Sequence, residues 1–204
     1  MPAYFPFVEA MTVPDQVHHR IGLDSLASVV GHLDWTEREL VAEEPGLLAA
    51  VEPFLRSVGE AGTALDLLVE LEEGGQVFRS PCFPTVVDIA ATGGTVELKE
   101  KAWAVILEVA RGEYSEEEAM FDSPGMAALL QGGLESEDDD IAEKAHRTVS
   151  WLVVDEGTVA SKMLDSHPDL VEALIKNFGK DGACEKFLSK SHLFHSSILS
   201  SFSC

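Results

Sequence analysis

At 204 residues the chain is long enough for one sizeable core, or for four to five repeats of about 40 residues with caps. Its 36 Asp and Glu against 14 Lys and Arg give a net charge of -22, which would repel a nucleic-acid backbone or an anionic membrane surface. No apolar run approaches the roughly 18 residues of a membrane span, and Cys82, Cys184 and Cys204 stand at spacings that form neither a disulfide framework nor a tetrahedral zinc pattern.

The N-terminal MPAYFPFVEAM lacks the basic start of a secretory signal, so a soluble, cytoplasmic or nuclear protein with reduced thiols is expected. Residues 1–20 carry Pro2, Pro6 and Pro14 among scattered apolar side chains and read as an extended, partly anchored arm. From there, residues 21–188 are expected to form one repeat domain. Leu23, Leu26, Val29, Val30 and Leu33 fall at helical spacing, and Thr36 to Glu39 reads as a capping box that opens a short helix. Together these would form an N-terminal cap, without which an end repeat leaves an apolar face in water.

Leu47, Leu48, Val51, Phe54 and Leu55 then make an apolar stripe, which Pro53 should kink or end early. Leu65, Leu68, Val69 and Leu71 supply a partner helix, closed by Gly74-Gly75, and residues 76–83 leave room for one helical turn. A second repeat runs from Pro84 through Val86, Val87 and Ala90 to Gly93-Gly94. Its long helix carries Leu98, Ala102, Val105, Ile106 and Val109 and stops at Gly112.

Ser115 to Glu118 reads as another capping box, ahead of Met120 and Phe121. In the third repeat Ser123 is placed to cap, Pro124 takes the first helical position, and Met126, Leu129, Leu130 and Leu134 form the buried stripe. Asp138, Asp139 and Asp140 lie where a helix dipole favours negative charge, and Ile141, Ala145, Val149, Leu152 and Val153 face inward. After a short helix over Val159 to Leu164, a fourth repeat shows Leu170, Val171, Leu174, Ile175 and Phe178 on one face. Residues 189–204 are a Ser-rich tail whose Leu193, Ile198, Leu199 and Phe202 are available to dock as a closing cap.

Superimposing Pro45, Pro84, Pro124 and Pro168 aligns these segments at steps of 39, 40 and 44 residues. Glu-Lys-Ala follows at 100–102 and 143–145, and Glu-Lys-Phe at 185–187, which is 16, 19 and 17 residues past the respective proline. A period near 40 built from helix pairs predicts an all-α stacked solenoid. The charge is uneven along it. From Glu113 to Glu143 there are eleven acidic residues and no Lys or Arg, a run that reads either as a solvated surface or as a docking surface for a basic peptide.

On these residues the chain resembles the armadillo-repeat family. Ser115 to Val153 carries a short acidic helix, then Ser-Pro-Gly-Met-Ala-Ala-Leu-Leu where the family turns into its second helix, then Glu143-Lys144-Ala145 opening the third. The run KEKAWAVILEVA, Lys99 to Ala110, is similar to the family's third helix. The resemblance covers roughly Pro45 to Ser189, and HEAT-type helix pairs share its period. It implies a right-handed α-solenoid of about four repeats with helical caps, whose third helices line a concave surface that binds extended peptides or partner proteins.

Many peptide-binding members carry an asparagine late in the third helix. Alignment puts Glu108 and Trp151 there instead, a departure from importin-type receptors that still suits a basic segment. The other reading has Trp151 in the core and Glu108 merely solvated. Trp103, Glu108, Arg147 and Trp151 are the partner contacts expected on this surface.

No G-x-S-x-G elbow, no G-x-G-x-x-G and no Walker A loop are present, since Gly179-Lys180 is followed by Asp181. His192 and His195 sit at a spacing compatible with a metal pair but with no carboxylate between them, and the carboxylates of 135–140 lack the pattern of a calcium loop. His146 reads as a packed or surface histidine. The expectation is a non-enzymatic scaffold or adaptor with no cofactor, no metal and no catalytic residue, binding a protein or peptide. Its alternative, which the resemblance implies, is an Hsp70-type nucleotide-exchange co-chaperone.

Overall fold

The computed structural model describes residues 4–12, 16–71, 74–112, 117–153 and 158–181, and among them the regular structure is α-helical throughout. The chain separates into two compact units, Met1–Tyr114 and Ser115–Cys204, so residues 21–188 are shared between them. None of the helices is long and apolar enough, among the described residues, to cross a membrane. The Ser-rich tail and Glu185-Lys186-Phe187 lie outside the described residues, as do Ser115 and Glu116 of the expected capping box.

The first unit begins with a correction. The segment expected as an extended arm forms helix α1 (Phe5–Thr12), packed against α2 (Gln16–Val30). Pro6 falls in the first turn of α1, where its missing N–H leaves no intrahelical bond unmade. Val8 and Met11 are buried. The approach of the two helices is close: a Cβ on Gly22 would lie 3.0 Å from both Met11 Cγ and the Phe7 carbonyl oxygen.

Helices α3 (Trp35–Ala42), α4 (Leu47–Leu55), α5 (Ala61–Glu70), α6 (Gly74–Arg79), α7 (Cys82–Thr92) and α8 (Val96–Arg111) complete the unit. The pairs α1/α2, α4/α5 and α7/α8 stack so that α1, α4 and α7 form one layer and α2, α5 and α8 the other. Leu23, Leu26, Leu47, Leu65, Leu67, Leu68 and Ile106 are fully buried within the unit, each contributing on the order of 1.5–3 kcal/mol.

Two local signals act differently from their sequence reading. The capping box of α3 lies two residues earlier than Thr36: Asp34 accepts from Glu37 N at 2.9 Å while Asp34 N donates to Glu37 Oε2 at 3.2 Å. Gly74-Gly75 opens α6 instead of closing α5, giving the helical turn expected near residue 76. Helix α4 runs through Pro53, which forgoes one intrahelical N–H bond, and ends two residues after it.

The second unit holds α9 (Glu117–Phe121), α10 (Met126–Leu134), α11 (Asp139–Leu152), α12 (Thr158–Ser166) and α13 (Pro168–Asp181). Helix α10 packs on α11 and α13, and α12 lies against α13 and α9. Lys162 of α12 reaches Asp122 Oδ2 at 2.5 Å and Glu118 Oε1 at 2.7 Å, and these two partners raise its pKa above the ordinary lysine value. Pro124 precedes α10 instead of opening it, and Ser123 does not cap it: the Ser123 hydroxyl donates back to Ala119 O at 3.1 Å.

The reason is a turn. Ser123-Pro124-Gly125-Met126 closes with Met126 N donating to Ser123 O at 3.0 Å and with Gly125 at φ 82°, ψ -6°, the geometry of a type II turn. Glu44-Pro45-Gly46-Leu47 repeats it in the first unit, with Gly46 at φ 86°, ψ -6°. The proline register also holds in burial. Two residues after each proline, Leu47, Val86, Met126 and Leu170 are buried; six residues after, Val51, Ala90, Leu130 and Leu174 are buried.

Candidate functional site

The surface of interest is the outward stripe of the third helices, built first on α8. Thr95 caps this helix by accepting from Leu98 N at 3.2 Å, Glu97 lies in its first turn and Arg111 in its last, each matched to the helix dipole. Ala102, Trp103, Val105, Ile106, Leu107 and Ala110 are its buried face. Glu97, Lys101, Ala104, Glu108 and Arg111, spaced three and four apart, are left on the other side.

Every cation on that stripe is already engaged. Lys101 Nζ lies 2.6 Å from Asp66 Oδ2 on α5 and 3.8 Å from Glu97 Oε1, and Arg111 is 2.7 Å from Glu108 Oε1. Arg38 reaches from α3 to the end of α5, donating to the Glu70 carbonyl oxygen at 3.1 Å and pairing with the Glu70 carboxylate at 3.1 Å. The pairing leaves carboxylates in excess, because residues 1–114 hold 7 Lys and Arg against 19 Asp and Glu. Asp66 and Glu70 did not stand out in the sequence. Their outward position on α5 could have been read from the inward Leu65, Leu67 and Leu68 beside them.

Helix α11 is the matching element of the second unit. Asp138 accepts from Ile141 N at 3.0 Å and Asp139 and Asp140 fill the first turn, so three carboxylates of the acidic run serve the helix start. Ile141, Ala145, Thr148, Val149 and Leu152 face inward, and the buried Thr148 hydroxyl is satisfied by Lys144 O at 2.8 Å. Its outward stripe is Asp140, Lys144, Arg147 and Trp151.

The four residues expected as contacts divide. Trp103 is 1% exposed and belongs to the core of the first unit, so it offers no surface to a partner. It stands five residues before Glu108, about 140° round the helix, on the Ile106 side. Glu108 is half-buried and ion-paired on α8. Arg147 and Trp151 lie one turn apart on one face of α11; Arg147 contacts Glu143 at 3.6 Å and Trp151 is 44% exposed. Aligning Glu100-Lys101-Ala102 with Glu143-Lys144-Ala145 puts Glu108 and Trp151 at the same repeat position.

No protein-family model matches this chain, and no curated protein matches it by sequence. Solved structures do match in fold. A computationally designed armadillo repeat protein for modular peptide recognition superposes with a TM-score of 0.66 at 15% identity, covering 98% of this chain and 92% of its own. An engineered protein matches with a TM-score of 0.67 at 14% identity over 95% of this chain and 88% of its own. A designed armadillo repeat protein in complex with the peptide (KR)4 matches with a TM-score of 0.62 at 14% identity, over 100% of this chain and 94% of its own. The chain therefore has the armadillo-like fold, an all-α solenoid of stacked helical repeats.

Proposed function

We propose that this armadillo-like chain is a binding scaffold without chemistry of its own, which holds basic segments of a partner protein on the outward stripes of its third helices, α8 in the first unit and α11 in the second. The observation that carries this reading is Trp151. It is a large aromatic left 44% exposed at the repeat position of Glu108, one turn from Arg147, while Trp103 is buried at 1%. Exposed tryptophan beside charge is the composition of an interface anchor. The excess of carboxylates over the chain, 36 Asp and Glu against 14 Lys and Arg, favours a cationic partner over nucleic acid or an anionic lipid surface. A designed protein of the same fold, solved with a peptide of alternating Lys and Arg, supports basic peptide as the class to test first.

The test is fluorescence anisotropy of a labelled (Lys-Arg)4 peptide with the full chain, at low and physiological salt. Glu108→Lys and Trp151→Ala are each expected to weaken binding roughly tenfold, the effect of losing one hot-spot contact. Unchanged binding by both variants, with circular dichroism showing an intact fold, would exclude this surface. For the nucleotide-exchange alternative, no surface among the described residues provides specific support.

A further inference from the structure

The second unit contains a cavity of about 520 Å3 on its second-helix layer, at the place where α10 and α13 begin side by side. That volume lies within the range of small-ligand and side-chain pockets. Its apolar lining comes from Phe121, Pro124, Pro168 and Leu170, with the His167 ring edge-on to Phe121 at a centroid distance of 5.4 Å. Two carboxylates, Asp122 and Asp169, line it as well, and no Lys or Arg does. Lys162, which is not part of the lining, pairs with both Glu118 and Asp122, so one positive charge faces two negative ones and Asp169 adds a third.

We infer that this cavity takes the side chain of an arginine or lysine from a partner segment. An apolar wall with carboxylates beside it suits the two parts of such a side chain: the methylene stem lies along Pro124, Pro168 and Leu170, and the cationic head meets Asp169. Both carboxylates are exposed, which lets them approach the head without the cost of a buried charge. The unit around it reinforces the preference, since residues 115–204 carry 17 Asp and Glu against 7 Lys and Arg. The site is separate from the third-helix stripe, because its lining comes from α10, α13 and the segments that lead into them, and none comes from α11.

The experiment is a backbone amide NMR titration of the full chain with acetyl-Gly-Arg-Gly-amide, and in parallel with the same peptide carrying citrulline, which keeps the shape and removes the charge. The arginine peptide is expected to shift the amides of Ala127, Ala128, Asp169 and Leu170, and the citrulline peptide to leave them in place. Asp169→Asn should weaken the arginine peptide roughly tenfold, as for one charge-assisted hydrogen bond. Ala128→Trp, which fills the cavity from an exposed lining position, should abolish the shifts. Equal response to citrulline, or full binding by both variants, overturns the inference. Shifts confined to α8 and α11 would also overturn it while favouring the third-helix surface, and shifts at these amides produced by inorganic phosphate in place of arginine would make it an anion site.

Discussion

The Thr85 hydroxyl on α7 donates to Glu52 Oε1 on α4 at 3.0 Å, across 33 residues of sequence. Arg56 completes the triangle, with Nε 2.6 Å from the same Glu52 oxygen and Nη2 3.1 Å from Thr85 Oγ1. Thr85 is only 5% exposed, so its hydroxyl is satisfied inside the layer formed by successive second helices. Thr85→Val keeps the shape and removes the donor, and it is expected to lower unfolding free energy by about 1 kcal/mol in urea titration. Because Glu52 retains Arg56, a loss above about 3 kcal/mol would show that the triangle acts as a cooperative network.

Gly46 and Gly125 give a second test of the repeat. Each holds a positive φ at the end of a Pro-Gly turn, and a Cβ built on either meets no atom within 4 Å. Replacing either glycine by alanine therefore adds no clash, and any destabilisation comes from the left-handed backbone itself. A loss of about 1–2 kcal/mol is expected for each, measured by chemical denaturation. An unchanged midpoint would mean that the turn relaxes to a negative φ.

These two sites show how far the sequence could be read. The repeat register was legible because proline and apolar residues recur together: Pro45 with Leu47 and Val51 announces the same burial as Pro124 with Met126 and Leu130. Turn type was not, since Ser-Pro before a helix is compatible both with capping and with the type II turn that Gly125 adopts. Pro6 misled for a related reason, as a proline in the first turn of α1 looks in sequence like one that breaks a helix. The Glu52 to Thr85 contact depends on how neighbouring repeats stack, which no local pattern encodes. Of the expected surface residues, Arg147 and Trp151 fall on one stripe because they are four apart, whereas Trp103 shares the face of Ile106 and goes inward.

Cys82 is fully buried, and its Sγ lies 3.0 Å from the Leu48 carbonyl oxygen. Burial pushes its thiol up to about 11, with the Ser80 hydrogen bond opposing this and the charge of Glu52 adding to it. At pH 8 only about one molecule in a thousand then carries the reactive thiolate. Peptide mapping after brief iodoacetamide treatment should find Cys82 unmodified in the folded chain and alkylated in urea. The sign of the linked stability follows: a folded pKa raised above the unfolded one supports the fold below about pH 9 and loses that support as pH rises toward 11. Removal of the thiol by Cys82→Ala should flatten that alkaline limb, and a limb unchanged by the substitution would assign it to other groups.

Trp103 and Trp151 offer the sharpest contrast, since residue type is the same and only position differs. Trp103 is among the largest fully buried side chains, so Trp103→Ala leaves a void in the first unit and should lower stability by about 3–5 kcal/mol. Trp151 already has 44% of its surface in water on the outward face of α11, and its truncation removes less contact with the fold. Trp151→Ala should change stability by no more than about 1 kcal/mol, the range of surface substitutions with partial packing. Acrylamide quenching separates them further: Trp151→Phe should lower the quenchable fraction of the emission, and Trp103→Phe should raise it by removing a shielded component. If Trp151→Ala instead destabilises as strongly as Trp103→Ala, its ring serves the core of the second unit and cannot be a free anchor for a partner. If stability holds while peptide binding falls, the exposed ring has a role that folding does not require.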